Sequence, residues 1–442
     1  MTWTTKVVLR AFFAVYILGG SANAQDVLRL TLAEAQARAL DASHRLAELQ
    51  ARESGAQATM AVREAESRPN VAIQAGYTRT NHVEEFFLPR TLGAPSQLLY
   101  PDVPDNYRTR LDLQWPIYTG GRSDALERAA RAEAGAASSD VAAARADLRL
   151  EVARAYWAVV TARSAVDVLE QAVERAQTYV RDQRERFANG LIPPNEVASA
   201  EAQESRQRLL RIEAINQRDV ATSELARLLG DNLLRPIEPT ESLESAPTTP
   251  PSLEVLVDEA RHGRDDRRAL QQRIEASDER RAAAAAGTMP NVAVAGGFDY
   301  ARPNPRIFPR ADRWEDSWDA SFNVSVPLWD GGRTKAEVAE AAAATNAARQ
   351  RLYEFDSTLA LEVRQRMLEL ESSRAAVDAA NDGVRSAAEA RRVVAERLSA
   401  GVVTNLEVLD AQVALLQAEL DRTRALANVR LAEARLSRAL GR

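Results

Sequence analysis

Not one cysteine occurs in the 442 residues. That excludes a disulfide framework, a thiolate metal site and a lipid-modified N-terminal cysteine. Histidine is almost as scarce: His44, His82 and His262 are scattered without ligand spacing, and no catalytic set of nucleophile, base and acid can be assembled around them. An excess of positive charge is missing too. The net charge is −6, or −8 once Lys6 and Arg10 leave with the leader described below, which argues against nucleic acid as the partner. Long apolar runs are absent. The best stretch, residues 11–20, has ten residues, too few for a membrane-crossing helix.

That stretch belongs to a recognisable leader. Lys6 and Arg10 precede it and Ala22-Asn23-Ala24 follow it, so residues 1–24 read as a cleaved secretory signal. A membrane anchor is the alternative, which the short apolar run disfavours. The chain is therefore expected to be exported without any helical means of sitting in a bilayer.

Proline and glycine are nearly missing from residues 123–189, where Gly135 alone interrupts the run. Val152, Val159, Val166, Val173, Val180 and Phe187 recur at every seventh position, and Val141, Leu148, Ala155, Ala162, Leu169 and Ala176 form a second register beside them. A sustained seven-residue repeat predicts a left-handed coiled-coil seam, on a helix about 100 Å long. The helix ends at Asn189-Gly190, and Pro193-Pro194 start a return helix over 195–229.

Upstream, residues 30–68 have a helical pattern with Thr31 as a cap and Pro69 as the stop. The period then changes from helical to alternating. Val71, Ile73, Ala75 and Tyr77 alternate with polar or small residues, predicting a strand at 70–80; Leu111, Leu113, Trp115 and Ile117 do the same for 107–118. The polar, proline-bearing stretch 86–105 between them reads as a long loop. Residues 236–251, rich in proline, threonine and glutamate, read as a linker.

Beyond that linker the series recurs. Pro69-Asn70-Val71-Ala72 returns as Pro290-Asn291-Val292-Ala293, shifted by 221, and Pro116 to Arg122 returns as Pro327 to Arg333, shifted by 211. Gly190 pairs with Gly401, Glu196-Val197 with Glu407-Val408, and Leu229-Gly230 with Leu440-Gly441, again at 211. Chance similarity between alanine-rich helices does not keep a fixed offset across such landmarks. The chain thus reads as two structural repeats, 25–235 and 252–442. The second adds a helix over 252–289, strands at 291–301 and 316–329, a long helix at 334–400 and a return helix at 405–440. The fold class is mixed α and β, mostly α.

The strands bear on the environment. Trp318, Ala320, Phe322, Val324 and Val326 alternate with Asp319, Ser321, Asn323 and Ser325, a lipid-out, water-in pattern. Tyr77, Trp115, Tyr118, Phe298, Trp318 and Trp329 lie in or beside the strands, where membrane-interface aromatics belong. A soluble sheet packed on helices is the competing reading. If the strands do enter lipid, four cannot close a barrel and open edges are not viable there. Eight strands from a dimer would pack solid, whereas twelve from a trimer leave a lumen.

With those residues in place the chain resembles the TolC-type outer-membrane efflux proteins, the exit ducts of tripartite pumps and type I secretion systems. The resemblance rests on two strand-to-helix signatures, Pro116 with Gly120-Gly121-Arg122 and Pro327 with Gly331-Gly332-Arg333. It rests also on the helix turn from Gly401 through Val402, Val403, Thr404, Asn405, Leu406, Glu407, Val408, Leu409 and Asp410 to Ala411, with a weaker partner at Gly190 to Val197. It covers essentially the whole mature chain and points to the unlipidated members. It implies a homotrimer with a twelve-stranded transmembrane β-barrel in outer-membrane lipid, continuous with a twelve-helix periplasmic α-barrel. It also implies a periplasmic adaptor, an inner-membrane transporter of RND, ABC or MFS type, no cofactor or metal, and no enzymatic activity.

The resemblance places Glu407 and Asp410 on the lumen at the narrow periplasmic end, with Glu196 as the matching acid of the first repeat. Acids in a first helical turn also serve as plain caps, and both readings stand at this stage. Two charges about 6 Å apart repel by roughly 0.7 kcal/mol in water and 2.8 at an effective dielectric of 20, so a ring of such acids would attract cations and resist closure. Gly190, Leu191, Gly401 and Val402 are helix-ending turns and the expected adaptor-docking tips. Leu398 and Val403 stand near positions where relatives carry a tyrosine or arginine, so apolar tip packing is expected in place of polar links. The Gly-Gly-Arg pairs are not phosphate loops, because no lysine followed by serine or threonine comes after them. A periplasmic coiled-coil adaptor with a soluble sheet is the rival reading from another class.

Overall fold

The computed structural model describes residues 27–89, 95–244 and 251–442; the leader expected at 1–24 lies outside them. In chain order the first half carries β1 (Leu28–Leu30), α1 (Leu32–Ala42), α2 (His44–Ala65), β2 (Asn70–Arg79), β3 (Phe86–Leu88), β4 (Gln97–Tyr100), β5 (Asp105–Tyr118), α3 (Arg122–Ala188) and α4 (Pro194–Leu228). The second half follows with β6 (Ile237–Pro239), α5 (Leu253–Gly263), α6 (Asp265–Ala285), β7 (Asn291–Arg302), β8 (Glu315–Ser325), α7 (Arg333–Ser399) and α8 (Asn405–Ala439). The long helices α3 and α7 have 67 residues each, and α4 and α8 have 35 each.

Two expected helices are broken. The run 30–68 divides at Ser43 and the run 252–289 at Arg264, and both residues adopt extended backbone, with ψ of 110° and 114°. Ser43 starts α2 by accepting the Leu46 N–H at 3.3 Å, a cap that competes with helix continuation. Arg264 is buried, and its guanidinium holds Asp266 at 2.7 Å, Glu362 of α7 at 3.0 Å and the Ala439 carbonyl of α8 at 3.4 Å.

These breaks are where the return helices arrive. Gly230, just past α4, sits so close to Ala42 that an added Cβ would stand 2.7 Å from the Ala42 side chain. Gly441, just past α8, abuts the Gly263 carbonyl in the same way. Both have positive φ, 65° and 85°, a conformation that costs least for glycine. So α2 takes over where α4 ends, and α6 where α8 ends. On one side α3 packs against α2 and α4 and on the other against α6 and α8, while α7 packs against α8, α6 and α5. The chain is a wall of four staves in the order α4/α2, α3, α8/α6, α7.

Because α3 has neighbours on both sides, its seven-residue seam is buried within the chain. Val152 and Val159 are fully buried, and Val141, Val166, Leu169, Ala176 and Val180 nearly so. Phe187, last of the series, is exposed. On α7, which ends the wall, Val363 and Leu370 are buried but Val377, Val384 and Leu398 are only half-buried. The largest core cluster lies midway along α3, around Leu30, Ala35, Val152, Tyr156, Val159, Leu225 and Ile237. Each fully buried Val or Leu there is worth about 1.5–3 kcal/mol of transfer free energy. The segment expected to be a plain linker, 236–251, contributes to this belt: β6 pairs with β1 in parallel, Leu28 opposite Ile237. Tyr156 fastens them to α3, donating to the Leu30 carbonyl at 3.0 Å and accepting from the Glu241 N–H at 3.1 Å.

The four main strands form one antiparallel sheet in the order β2-β5-β7-β8. Each strand continues a stave, since β2 follows α2, β5 leads into α3, β7 follows α6 and β8 leads towards α7. Two strand expectations change. The strand placed at 316–329 stops at Ser325, where its partner begins at Asn291 after Pro290; Pro327 has no N–H to extend the ladder. The loop expected at 86–105 contains the β3–β4 hairpin. Pro116 stays within β5 because a register shift between Pro116 and Tyr118 takes up the missing donor.

Candidate functional site

The register sorts the sheet into two chemically distinct faces. Ile73, Leu111, Phe298 and Trp318 lie directly opposite one another across all four strands, and all four are exposed, Ile73 by 72% and Trp318 by 73%. Trp115, Val294 and Phe322 make a second apolar row across β5, β7 and β8. The remaining expected interface aromatics, Tyr77, Tyr118 and Trp329, are exposed as well, Trp329 by 89%. Tyr77 rests against Tyr107 with ring centroids 5.1 Å apart, and Tyr300 stacks on Trp314 at 5.0 Å.

The opposite face is polar and tightly cross-linked. The rows Gln74–Arg110–Asp299–Ser317 and Ala72–Asp112–Gly297–Asp319 cross all four strands. Arg110 lies over Gly297, where a side chain would collide with the guanidinium, and bonds Asp112 at 2.6 Å, Asp319 at 3.1 Å, and Asp299. Arg108 reaches Asp299 at 2.5 Å. In the sequence Asp112 and Asp319 stand out only as polar members of alternating strands. The cross-strand clustering with Arg108, Arg110 and Asp299 depends on register, which pattern alone leaves open.

At the strand-to-helix junctions, Gly120, Gly121, Gly331 and Gly332 all have positive φ, between 66° and 86°. Gly120 is also crowded: an added Cβ would stand 2.3 Å from the Met289 Cβ. The following helices are capped by residues the sequence reading passed over. Thr119 Oγ1 accepts the Ser123 N–H at 3.1 Å, and the Asp330 carboxylate accepts the Gly332 and Thr334 N–H groups at 2.9 and 2.8 Å. Hydrogen bonding from Thr334 and from the Gly332 backbone holds the Asp330 carboxyl down at about 2. Pro116 and Pro327 precede these caps by three residues in each half.

At the far end of the staves, α3 and α7 close in matching turns. Gly190 and Gly401 have φ of 70° and 74°, and the next N–H groups, on Leu191 and Val402, each return to a carbonyl five residues back at 2.9 Å. Leu191 is 71% and Val402 64% exposed. Leu398 and Val403 are half-buried. Glu407 accepts the Thr404 N–H at 3.3 Å in a capping box, so it does cap α8. Asp410, three residues on, is exposed.

The tip also holds polar links that the expectation of purely apolar packing missed. Asn405 accepts from the Tyr179 hydroxyl at 2.7 Å and donates to Gln183 at 3.1 Å and to the Glu196 carboxylate. Gln183 is 1% and Asn405 9% exposed. Burial pushes the Tyr179 phenol up to about 12, so it stays a donor at physiological pH. The network joins α3 and α4 to the start of α8, tying the two helical hairpins of one chain together. Glu196 is thus a tie, whereas Glu407 and Asp410 remain on the surface. No signal near Leu398 or Val403 could have revealed it, because Tyr179 and Asn405 are 226 residues apart.

Among the described residues no group of acids or histidines is arranged to hold a metal, and no helix is long and apolar enough to cross a membrane. The sequence model of one family, described as outer membrane efflux protein, matches residues 35–231 and 256–442. The chain belongs to the outer membrane efflux protein family. Protein CyaE of Bordetella pertussis is 28% identical over 60% of this chain and 52% of its own length, so the chain spans about half of that relative. Outer membrane protein TolC of Vibrio cholerae is 24% identical over 72% of both chains. Among solved structures, the outer membrane protein VceC of Vibrio cholerae has a TM-score of 0.76 at 21% identity, covering 93% of this chain and 96% of that one. The CmeC outer membrane channel of Campylobacter jejuni has a TM-score of 0.77 at 18% identity, covering 93% and 85%. The mixed, mostly helical fold is therefore that of the TolC-like channels, and the efflux-protein family is one of channels rather than enzymes. Membership also decides against the adaptor reading.

Proposed function

We propose that three copies of this chain form an outer-membrane exit duct, passively conducting small molecules or polypeptides from an inner-membrane transporter to the exterior. The observation that carries this reading is the match between strand order and stave order in a wall with two open edges. In lipid, the unpaired edges of β2 and β8 require partners. Their antiparallel sense lets β8 of one copy pair with β2 of the next, and three copies then close twelve strands over twelve staves. The apolar rows through Ile73 and Trp115 face lipid and the Arg110 face lines the lumen. The equal lengths of corresponding helices support descent from an internal duplication. The family context supports residues 1–24 acting as a cleaved export signal.

In this reading Glu407 and Asp410 ring the periplasmic aperture, and Glu196, through Asn405, helps hold it narrow. Leu191 and Val402, exposed beside Gly190 and Gly401, present the surface for a periplasmic adaptor, which links the duct to an RND, ABC or MFS transporter. Leu398 and Val403 complete the tip packing. The test is fractionation followed by planar-bilayer recording. The account expects the protein in the outer-membrane fraction, requiring detergent for extraction and yielding discrete conductance steps. A protein released by salt that produces no conductance would contradict it.

A further inference from the structure

The connection between β7 and β8 does not project away from the sheet. Pro303 and Pro305 lack the N–H groups that would extend β7, and the chain instead folds back over the polar face. Asn304, 1% exposed, donates to the Glu315 carbonyl and to Ser317 Oγ, both at 3.0 Å. Arg306 meets the Trp318 carbonyl at 2.8 Å and Asp319 at 3.0 Å. Arg310 reaches Asn106 at 2.6 Å and the Tyr100 hydroxyl at 2.5 Å, lies 5.0 Å from the Tyr100 ring centre, and donates its backbone N–H to the Leu99 carbonyl at 3.2 Å. By register Asn106, Ser317 and Asp319 all belong to the polar face. The cover is close enough that Asp299 and Ala301 beneath it are only 2% and 1% exposed. A cleft of 320 Å³ remains between cover and sheet, lined by Gln74, Thr78, Asn106, Arg108, Arg110 and Arg310.

We propose that residues 303–313 are a lumen strap that forms a second constriction of the duct, at the end opposite the helix tips. The placement follows from the topology: β7 leaves α6 at Asn291 and reaches the strap at Arg302, the end of the sheet farthest from the helices. The strap rests on the reading that the polar face lines the lumen. Its charge differs from that of the tips. Arg108, Arg110 and Arg306 are balanced by Asp112, Asp299 and Asp319, while Arg302 pairs with Asp312 and Arg313 with Glu315. Arg310 is held by neutral groups, the Tyr100 hydroxyl and Asn106, and among the described residues it has no acidic partner, so each copy adds a cation beside the cleft. A solute therefore leaves an acidic aperture at Glu407 and Asp410 and exits past a basic one at Arg310. Phe308, midway along the strap, is 70% exposed, and in this reading it borders the path of the solute.

The absence of native cysteine makes the test clean, since Phe308→Cys carries a single thiol per chain. The full-length variant is recorded in planar bilayers before and after a bulky maleimide is added, and labelling is checked by mass spectrometry. The proposal expects a stepwise loss of unitary conductance on labelling, with no change for the unsubstituted protein. Arg310→Gln, unlabelled, should shift selectivity towards cations. A labelled channel with unaltered conductance would place the strap outside the current path and overturn the proposal. An unlabelled protein that never conducts would instead overturn the channel reading on which the strap depends.

Discussion

The most informative single substitution is at Asn405. One amide joins three groups: the Tyr179 hydroxyl at 2.7 Å, the Gln183 side chain at 3.1 Å and the Glu196 carboxylate. Asn405→Ala removes all three bonds and leaves Gln183, only 1% exposed, without its partner. At about 1 kcal/mol net for each bond, the loss is about 3 kcal/mol of coupling between the two hairpin tips in every chain. Since about 1.4 kcal/mol is a factor of ten, the equilibrium between tied and parted tips should move by about two orders of magnitude. Tyr179→Phe removes one bond, for about 1 kcal/mol and roughly a fivefold shift. The readout is open probability in planar bilayers, expected to rise in the order unsubstituted, Tyr179→Phe, Asn405→Ala. If all three behave alike, the buried network does not restrain the aperture and the reasoning fails. Unfolding does not explain a graded result, because the main core lies around Tyr156, far along α3 from the tip.

Three further outcomes are expected. Glu407→Gln with Asp410→Asn should lower cation-over-anion selectivity in reversal-potential measurements; unchanged selectivity would leave Glu407 with only the capping role its bond to Thr404 shows. Gly120→Ala should destabilise the assembled protein more than Gly331→Ala in thermal melts. Both pay the positive-φ penalty of about 1 kcal/mol or more, but only Gly120 also faces Met289, whereas Gly331 has open space. For Asp330, whose carboxyl is held at about 2 against an ordinary 3.8, the folded-state value is the lower one. Its contribution is therefore fully present above the unfolded value and lost as pH falls through about 2. Melts should show Asp330→Asn flattening the acid-side decline between about pH 4 and 2; an identical decline would exclude Asp330 as a cap that matters.

What could be read from the residues depended on how locally each feature is encoded. The long helices announce themselves because seven-residue spacing persists from Val152 to Val180 without a breaker. The strands do so because alternation in Val71–Tyr77 and Trp318–Val324 is strict. The break at Ser43 was hidden because an alanine-rich helical pattern runs through it, whereas the break at Arg264 had a local signal in Gly263 and Asp265; only the arrival of Gly230 and Gly441 gives both breaks a purpose. β6 was hidden because a three-residue parallel pair is fixed by its partner β1, some 209 positions away in sequence. The same holds for the site. The aromatic rows and glycine turns are local signals, but the Asn405 tie, the Arg110 cluster and the strap are long-range contacts. Asp330 and Thr119 sit in the very motifs that carried the resemblance, yet their capping function appears only once the helix starts are known.

The account turns on how one wall with two open edges is completed. A cryo-electron microscopy map of the detergent-extracted protein in lipid nanodiscs measures this directly. It should show three copies with β8 of each paired to β2 of the next, a closed ring of twelve strands within the lipid belt and twelve staves below it. Any other number of copies, or a four-stranded sheet lying outside the lipid, would contradict the account.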